Sequence, residues 1–474
     1  MRSKLQKFTA FAASLLPHET EYLLANQRFE DLIKLSILER MNKNSHQLEQ
    51  HLPYDQTIDK RKYSHLKNWI VERLHAIDVD EQFDRMCHLE QQIMRDSIDF
   101  QEEKGLLKEI KNYEGPIFYF TKFYELVEHY RHFLLIRLRY DDHRLVNDFL
   151  TKHRETYLES KAINEKLHTA TADIVKQFST NDTETIKWED WLTDVFYNEQ
   201  LDGQNRYLAL VRLTFLYLNY RRLDRLRAKF DYLDDLFREG KYYSKRLLLN
   251  YYHNRMLLHT KRKEYDEAVY YGYLSIRQKN NDFLLYVNNL SGVLLRQRRP
   301  DEALNILRNA LPDMKSSKNF FNKVGYVSFY VSALNKTGKP RNAESYAETF
   351  LAAYRNEVIK YRWHLFFSAY LQALLLQEKY AKVMRTTRKY KLLDRDKRYQ
   401  QRANYLPTIQ YYHALAEYKE GHLTRQKFQE RMLLSLENMQ MDRDRLLLLK
   451  ELIGELRSYA PDAMRPVAEN MVAV

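Results

Sequence analysis

Arg299-Pro300-Asp301-Glu302-Ala303-Leu304 decides the fold once it is set beside three relatives in the same chain: Glu264-Tyr265-Asp266-Glu267-Ala268-Val269, Lys339-Pro340-Arg341-Asn342-Ala343-Glu344 and Lys379-Tyr380-Ala381-Lys382-Val383-Met384. Each reads as the start of a helix. Pro300 and Pro340 stand where a first turn tolerates a missing N–H, and Asp266, Glu267, Asp301 and Glu302 place negative charge near a helix N-terminus. The intervals from 265 to 300, 300 to 340 and 340 to 380 are 35, 40 and 40 residues. A recurring interval of this size marks a stacked helical array.

Ahead of each start lies an apolar stripe at three- and four-residue spacing: Val287, Leu290, Ser291 and Leu294; then Val327, Tyr330, Val331 and Leu334; then Phe367, Tyr370, Leu371 and Leu374. That period is helical. The composition agrees, because 474 residues include only 10 Gly and 9 Pro and no Asn-Gly pair, whereas 44% are hydrophobic and 30% charged. Hairpins and tight turns need more of those residues. The fold class expected is all-α.

An apolar helix with large, large, small and large residues, a short turn, and a Tyr/Pro-Asp-Glu-Ala start to a second helix resembles the tetratricopeptide repeat (TPR) family. The stretch 284–312 is the best match and 338–354 the next. Departures are visible. Only Gly338 and Gly421 supply a turn glycine, the small residue of the first helix is replaced by Met256, Val331 or Leu371, and two intervals exceed the family's period of about 34. The resemblance implies a right-handed α-solenoid of helix-turn-helix repeats, with weaker pairs at 207–237 and 408–437 and a last helix over 442–457 capping the array. The domains expected are a helical N-terminal region at 1–181 (a bundle or degenerate repeats), a TPR-like solenoid at 182–458, and a loose tail at 459–474. Within the first, helical stripes cover 58–77, 80–112 and 117–140, broken at Gly115-Pro116, and the polar run 179–184 reads as a linker.

In TPR-like arrays the first helices line a concave groove. That resemblance places Asn250, His253 and Lys261 there, followed by Asn288 and Arg296, then Ser328, Asn335 and Lys336, then Ser368 and Gln372. Lys261, Arg296 and Lys336 recur at one position and form a basic ladder suited to a carboxylate or acidic peptide. The function expected is that of a non-catalytic interaction scaffold holding a peptide segment of a protein partner. No enzyme signature is present: no Walker loop, HExxH or GxSxG, and Thr337-Gly338-Lys339-Pro340 is explained by the repeat turn. No cofactor, metal or small-molecule substrate is expected.

The alternative is a nucleic-acid-associated regulator. Residues 379–402 hold ten Lys/Arg against Asp394 and Asp396, with Lys382, Arg385, Arg388, Lys389, Lys391, Arg395 and Arg398 at helical spacings and Tyr380, Tyr390 and Tyr399 between them. Such a strip suits phosphates, with rings to stack on bases, although charge runs are commonly solvated faces. The net charge of +13 also favours an acidic partner. Glu125, His129 and His132 share a helical face that could ligate a metal, or simply be a half-solvated surface with ordinary neighbours. Cys87, the lone cysteine, excludes an internal disulfide and fits a reducing, cytoplasmic setting. The run 8–16 is too short and interrupted to read as a signal peptide, and no stretch approaches the roughly 20 apolar residues of a membrane span.

Overall fold

The computed structural model describes residues 5–49, 51–180, 184–400, 405–437 and 443–470, and among them every regular element is helical. The chain divides into two compact units, Met1–Asn280 and Asn281–Val474. The first holds α1 (Gln6–Ala13), α2 (Pro17–Asn26), α3 (Leu32–His46), α4 (Lys60–Ile77), α5 (Val79–Met94), α6 (Phe100–Lys111), α7 (Phe120–Ile136), α8 (Tyr140–Thr180), a short 3-10 turn, α9 (Glu189–Tyr197), α10 (Gly203–Tyr220), α11 (Leu223–Arg238), α12 (Lys245–Arg262) and α13 (Tyr265–Ser275). The second holds α14 (Phe283–Arg296), α15 (Pro300–Asn309), α16 (Leu311–Ser316), α17 (Phe320–Lys336), α18 (Pro340–Ala353), α19 (Arg355–Lys360), α20 (Trp363–Leu375), α21 (Tyr380–Lys389), α22 (Leu392–Tyr399), α23 (Thr408–Lys419), α24 (Arg425–Glu437), α25 (Arg443–Tyr459) and α26 (Pro461–Asn470).

The four helix starts read from the sequence are the first residues of α13, α15, α18 and α21. One turn precedes each of them. The residue two places before the start is left-handed, at Lys263 (φ 66°), Arg298 (φ 57°), Gly338 (φ 72°) and Glu378 (φ 55°). The next N–H then reaches five residues back, Glu264 to the His259 carbonyl, Arg299 to Leu294, Lys339 to Leu334 and Lys379 to Leu374, at 2.9–3.0 Å. This is the Schellman closure, which satisfies carbonyls left open at a helix C-terminus. The same closure recurs before α8 (Leu138, φ 58°; Arg139 N to Leu134 O) and before α11, in the weaker pair read at 207–237 (Arg221, φ 55°; Arg222 N to Tyr217 O).

In the second unit, α14 packs on α15 and α17, α17 on α18 and α20, and α20 on α21 and α23, while α15, α18 and α21 each also touch the following long helix. Ala303, Ala343 and Val383, third after each start, are fully buried, and so are Val287, Leu290, Leu294, Val327, Phe367, Leu371 and Leu374 of the stripes. Each buried Val or Leu contributes about 2 kcal/mol relative to exposure. The 40-residue intervals have a physical reason: the short helices α16 and α19 are inserted after α15 and α18, whereas a loop without a helix separates α13 from α14.

The division at 280 differs from the break read at 181, which lies inside the first unit. Of the linker read at 179–184, residues 181–183 lie outside the described residues. What ties the N-terminal helices to the middle of the chain is a buried polar cluster. His18 on α2 places Nδ1 2.8 Å from the Tyr252 hydroxyl and Nε2 2.8 Å from Asp234 Oδ1, across 234 and 216 residues. The Tyr251 hydroxyl donates to the same Asp234 oxygen, and the Arg255 Nε–H donates to Tyr251. Next to it, Glu19 accepts from the Leu16 N–H at 2.8 Å and from the Tyr243 hydroxyl at 2.5 Å. The run 80–112 is two helices, because Asp96 adopts φ 55° and Asp99 caps α6 by accepting from the Gln101 and Glu102 N–H groups. The tail read as loose from 459 carries α26, with Ala463, Met464 and Val467 buried. No helix among the described residues is long and apolar enough to cross a membrane.

Candidate partner-binding face

The ten positions placed in a groove separate by burial. His253, Asn288, Ser328 and Asn335 are buried, at 5%, 0%, 0% and 6% exposure, which removes them from any open surface. Their polar atoms serve helix packing. The Asn288 amide donates to the Asn322 carbonyl at 2.9 Å and the Ser328 hydroxyl to the Val324 carbonyl at 2.7 Å. Burial pushes His253 down to about 4, which keeps it neutral near pH 7. Asn250 accepts from the Tyr207 hydroxyl at 2.8 Å and from the Asn254 amide at 2.9 Å. Lys261, Arg296 and Lys336 are exposed at the ends of α12, α14 and α17. Within the second unit the ladder stops at Lys336, because the corresponding position, just past the end of α20, is Leu376.

The second unit nevertheless assembles a polar seam from the remaining positions. The Asn335 amide donates to the Ala369 carbonyl at 2.9 Å and to Gln372 Oε1 at 3.2 Å. The Gln372 amide then donates to Glu455 Oε1 at 2.9 Å, and the Tyr412 hydroxyl to the same oxygen at 3.1 Å. Burial holds the Glu455 carboxyl above its ordinary range, opposed by those two hydrogen bonds and by the nearby Lys336 charge. Lys336 itself donates to the Leu295 carbonyl at the end of α14 (3.1 Å), where a cation suits the helix dipole. Ser368 on α20 is half-buried, and among the described residues its hydroxyl has no hydrogen-bond partner.

Glu455 lies on α25, whose Leu449, Leu452, Ile453 and Leu456 are buried. A carboxylate therefore does meet the α17–α20–α23 side of the unit, and it belongs to this chain. Sequence reasoning placed Gln372 and Lys336 at this face and missed Glu455 and Tyr412. The Glu455 spacing from Leu452 and Leu456 was visible, but nothing local to α25 says which helices it meets.

The basic strip is divided in the same way. Lys382 is held by Glu344 and Glu348, both at 2.6 Å, and Lys379 also pairs with Glu344 at 2.6 Å. Although burial opposes it, these lysines hold the Glu344 carboxyl below the ordinary range. Arg385, Arg388, Lys389, Lys391, Arg395 and Arg398 are exposed, with the Arg395 Nε–H donating to the Tyr390 carbonyl at 3.2 Å. The interleaved rings are engaged: Tyr390 packs on Phe367 with centroids 5.1 Å apart, and Tyr399 stacks on His364 at 4.9 Å. Arg402 lies outside the described residues.

The helix carrying Glu125, His129 and His132 sends these side chains to different places. Glu125 accepts from Tyr157 and Lys161, His129 lies 3.6 Å from Glu90, and His132 is exposed. Among the described residues no three His, Cys, Asp or Glu side chains are grouped to hold a metal ion. The His18–Asp234 pair has the look of an acid–base dyad, but both ring nitrogens are hydrogen-bonded and the ring is buried, which leaves no side for a substrate. No family model, curated protein or solved structure matches the chain.

Proposed function

We propose that the chain is a non-catalytic, TPR-like interaction scaffold whose second unit forms an α-solenoid and captures a peptide segment of a protein partner on the side built from α17, α20 and α23. The observation that carries this reading is the seam itself: Gln372 and Tyr412 together hold one carboxylate, with Lys336 adding favourable charge. Donors converging on a carboxylate are the chemistry by which a helical array selects an acidic peptide. The repeated turns and the spacing of α15, α18 and α21 support the solenoid reading. Copurification of the tagged chain from its native cells, with and without nuclease, tests it. A discrete protein that survives nuclease and is lost with Lys336→Glu supports the scaffold, and recovery that is unchanged by this substitution removes this face.

The second reading, a nucleic-acid-associated regulator, rests on the exposed cations Arg385, Arg388, Lys389, Lys391, Arg395 and Arg398. It is the weaker of the two because Tyr390 and Tyr399 are already packed on Phe367 and His364 within the protein.

A further inference from the structure

We infer that the partner segment is an amphipathic helix bearing one carboxylate, and that α25 is the resting occupant of this face, which such a helix displaces. The inference rests on the scaffold reading above and specifies its ligand and its regulation. The occupant seen is helical. It carries Leu449, Leu452, Ile453 and Leu456 as a buried stripe, and Glu455 beside them is the acid that Gln372 and Tyr412 hold.

The attachment of α25 is suited to exchange. Its main helix packing is with α26, and α26 packs on α24. By contrast α17 packs directly on α20, and α20 on α23. Across the seam, α25 is held through Glu455 by Gln372 and Tyr412. A partly buried carboxylate gives back in desolvation much of what its hydrogen bonds supply, so such a seam specifies register more than it adds strength. Removing α25 exposes the seam without separating α17 from α20.

Hydrogen exchange on the full-length wild-type chain tests this, with a synthetic peptide of residues 443–459 as the competing helix. Because the tethered α25 acts at an effective concentration of about millimolar, the peptide is added in that range. Amides of α25 should exchange at least tenfold faster than those of α20 and α23. Added peptide should raise α25 exchange further while α20 and α23 stay protected, and a peptide carrying Glu455→Lys should have no effect. Equal protection of α25 and α20, or no response to the wild-type peptide, overturns the exchange. Such a failure leaves the copurification result intact, because a partner lost with Lys336→Glu is read without reference to α25.

Discussion

The Gln372 side-chain amide on α20 donates to the Glu455 carboxylate on α25 at 2.9 Å, joining two residues 83 positions apart. That bond joins the helix expected to cap the array to α20. It also makes α25 docking sensitive to protons. The groups around the carboxyl are Gln372, Tyr412, Lys336 and Tyr459, and burial raises it above the ordinary 4.5. A carboxyl with a raised folded value contributes stability that is fully present below 4.5 and is lost as pH climbs past the raised value. After division by the intrinsic exchange rate at each pH, the protection of α25 amides should therefore be greater at pH 4 than at pH 7, and Glu455→Gln should abolish that difference in protection.

Positive-φ residues other than glycine mark the turns as improvable. Arg298 and Glu378 each hold the left-handed conformation that Gly338 holds without steric cost. Arg298→Gly and Glu378→Gly should each stabilise the second unit by about 1 kcal/mol, and Gly338→Ala should destabilise it by a similar amount. A Cβ at Gly338 would meet nothing within 4 Å, so the effect there is backbone strain alone. Denaturant midpoints with unchanged slopes would check all three.

His18 and Asp234 fasten α2 to α11 in the first unit. Burial works against the Asp234 charge, yet hydrogen bonds from His18 and Tyr251 and the charge of Arg238 hold its carboxyl down at about 2. A depressed carboxyl contributes stability above the unfolded value of 3.8 and loses it as pH falls toward 2. His18→Ala should cost about 3 kcal/mol, because it leaves Asp234 short of a partner in a buried site. The destabilisation should appear in thermal unfolding at pH 7 and shrink below pH 3.

Neutralising Arg385, Arg388 and Arg395 should leave partner recovery unchanged. If nucleic acid is the ligand, the same change lowers the slope of log affinity against log salt by about 2 for a single strand, from the three phosphates that the variant no longer neutralises. Titrating labelled single-stranded nucleic acid at several salt concentrations distinguishes the two.

The sequence carried the helix starts because their signals are local: Pro300 and Pro340 at the first position, acids in the first turn, and alanines third after the start. It carried the turn closures less well, since only Gly338 announces a left-handed residue by its type, while Arg298, Glu378 and Lys263 adopt the same conformation without a marker. The groove positions were half legible. A repeat register places Asn288 and Ser328 on the correct helices, but the partner of Asn288 is the Asn322 carbonyl on another helix, 34 residues away, whose availability follows from packing. Glu455 and the His18 cluster were illegible because their partners lie 43 to 234 residues away.

A photo-crosslinking residue placed at Gln372 in the full-length chain, compared with one at Arg388, addresses the central claim most directly when both are activated in native cells. The account predicts a discrete protein adduct from position 372 and none from position 388. An adduct from position 388 alone, with position 372 joined to nothing beyond the chain's own α25, would contradict it.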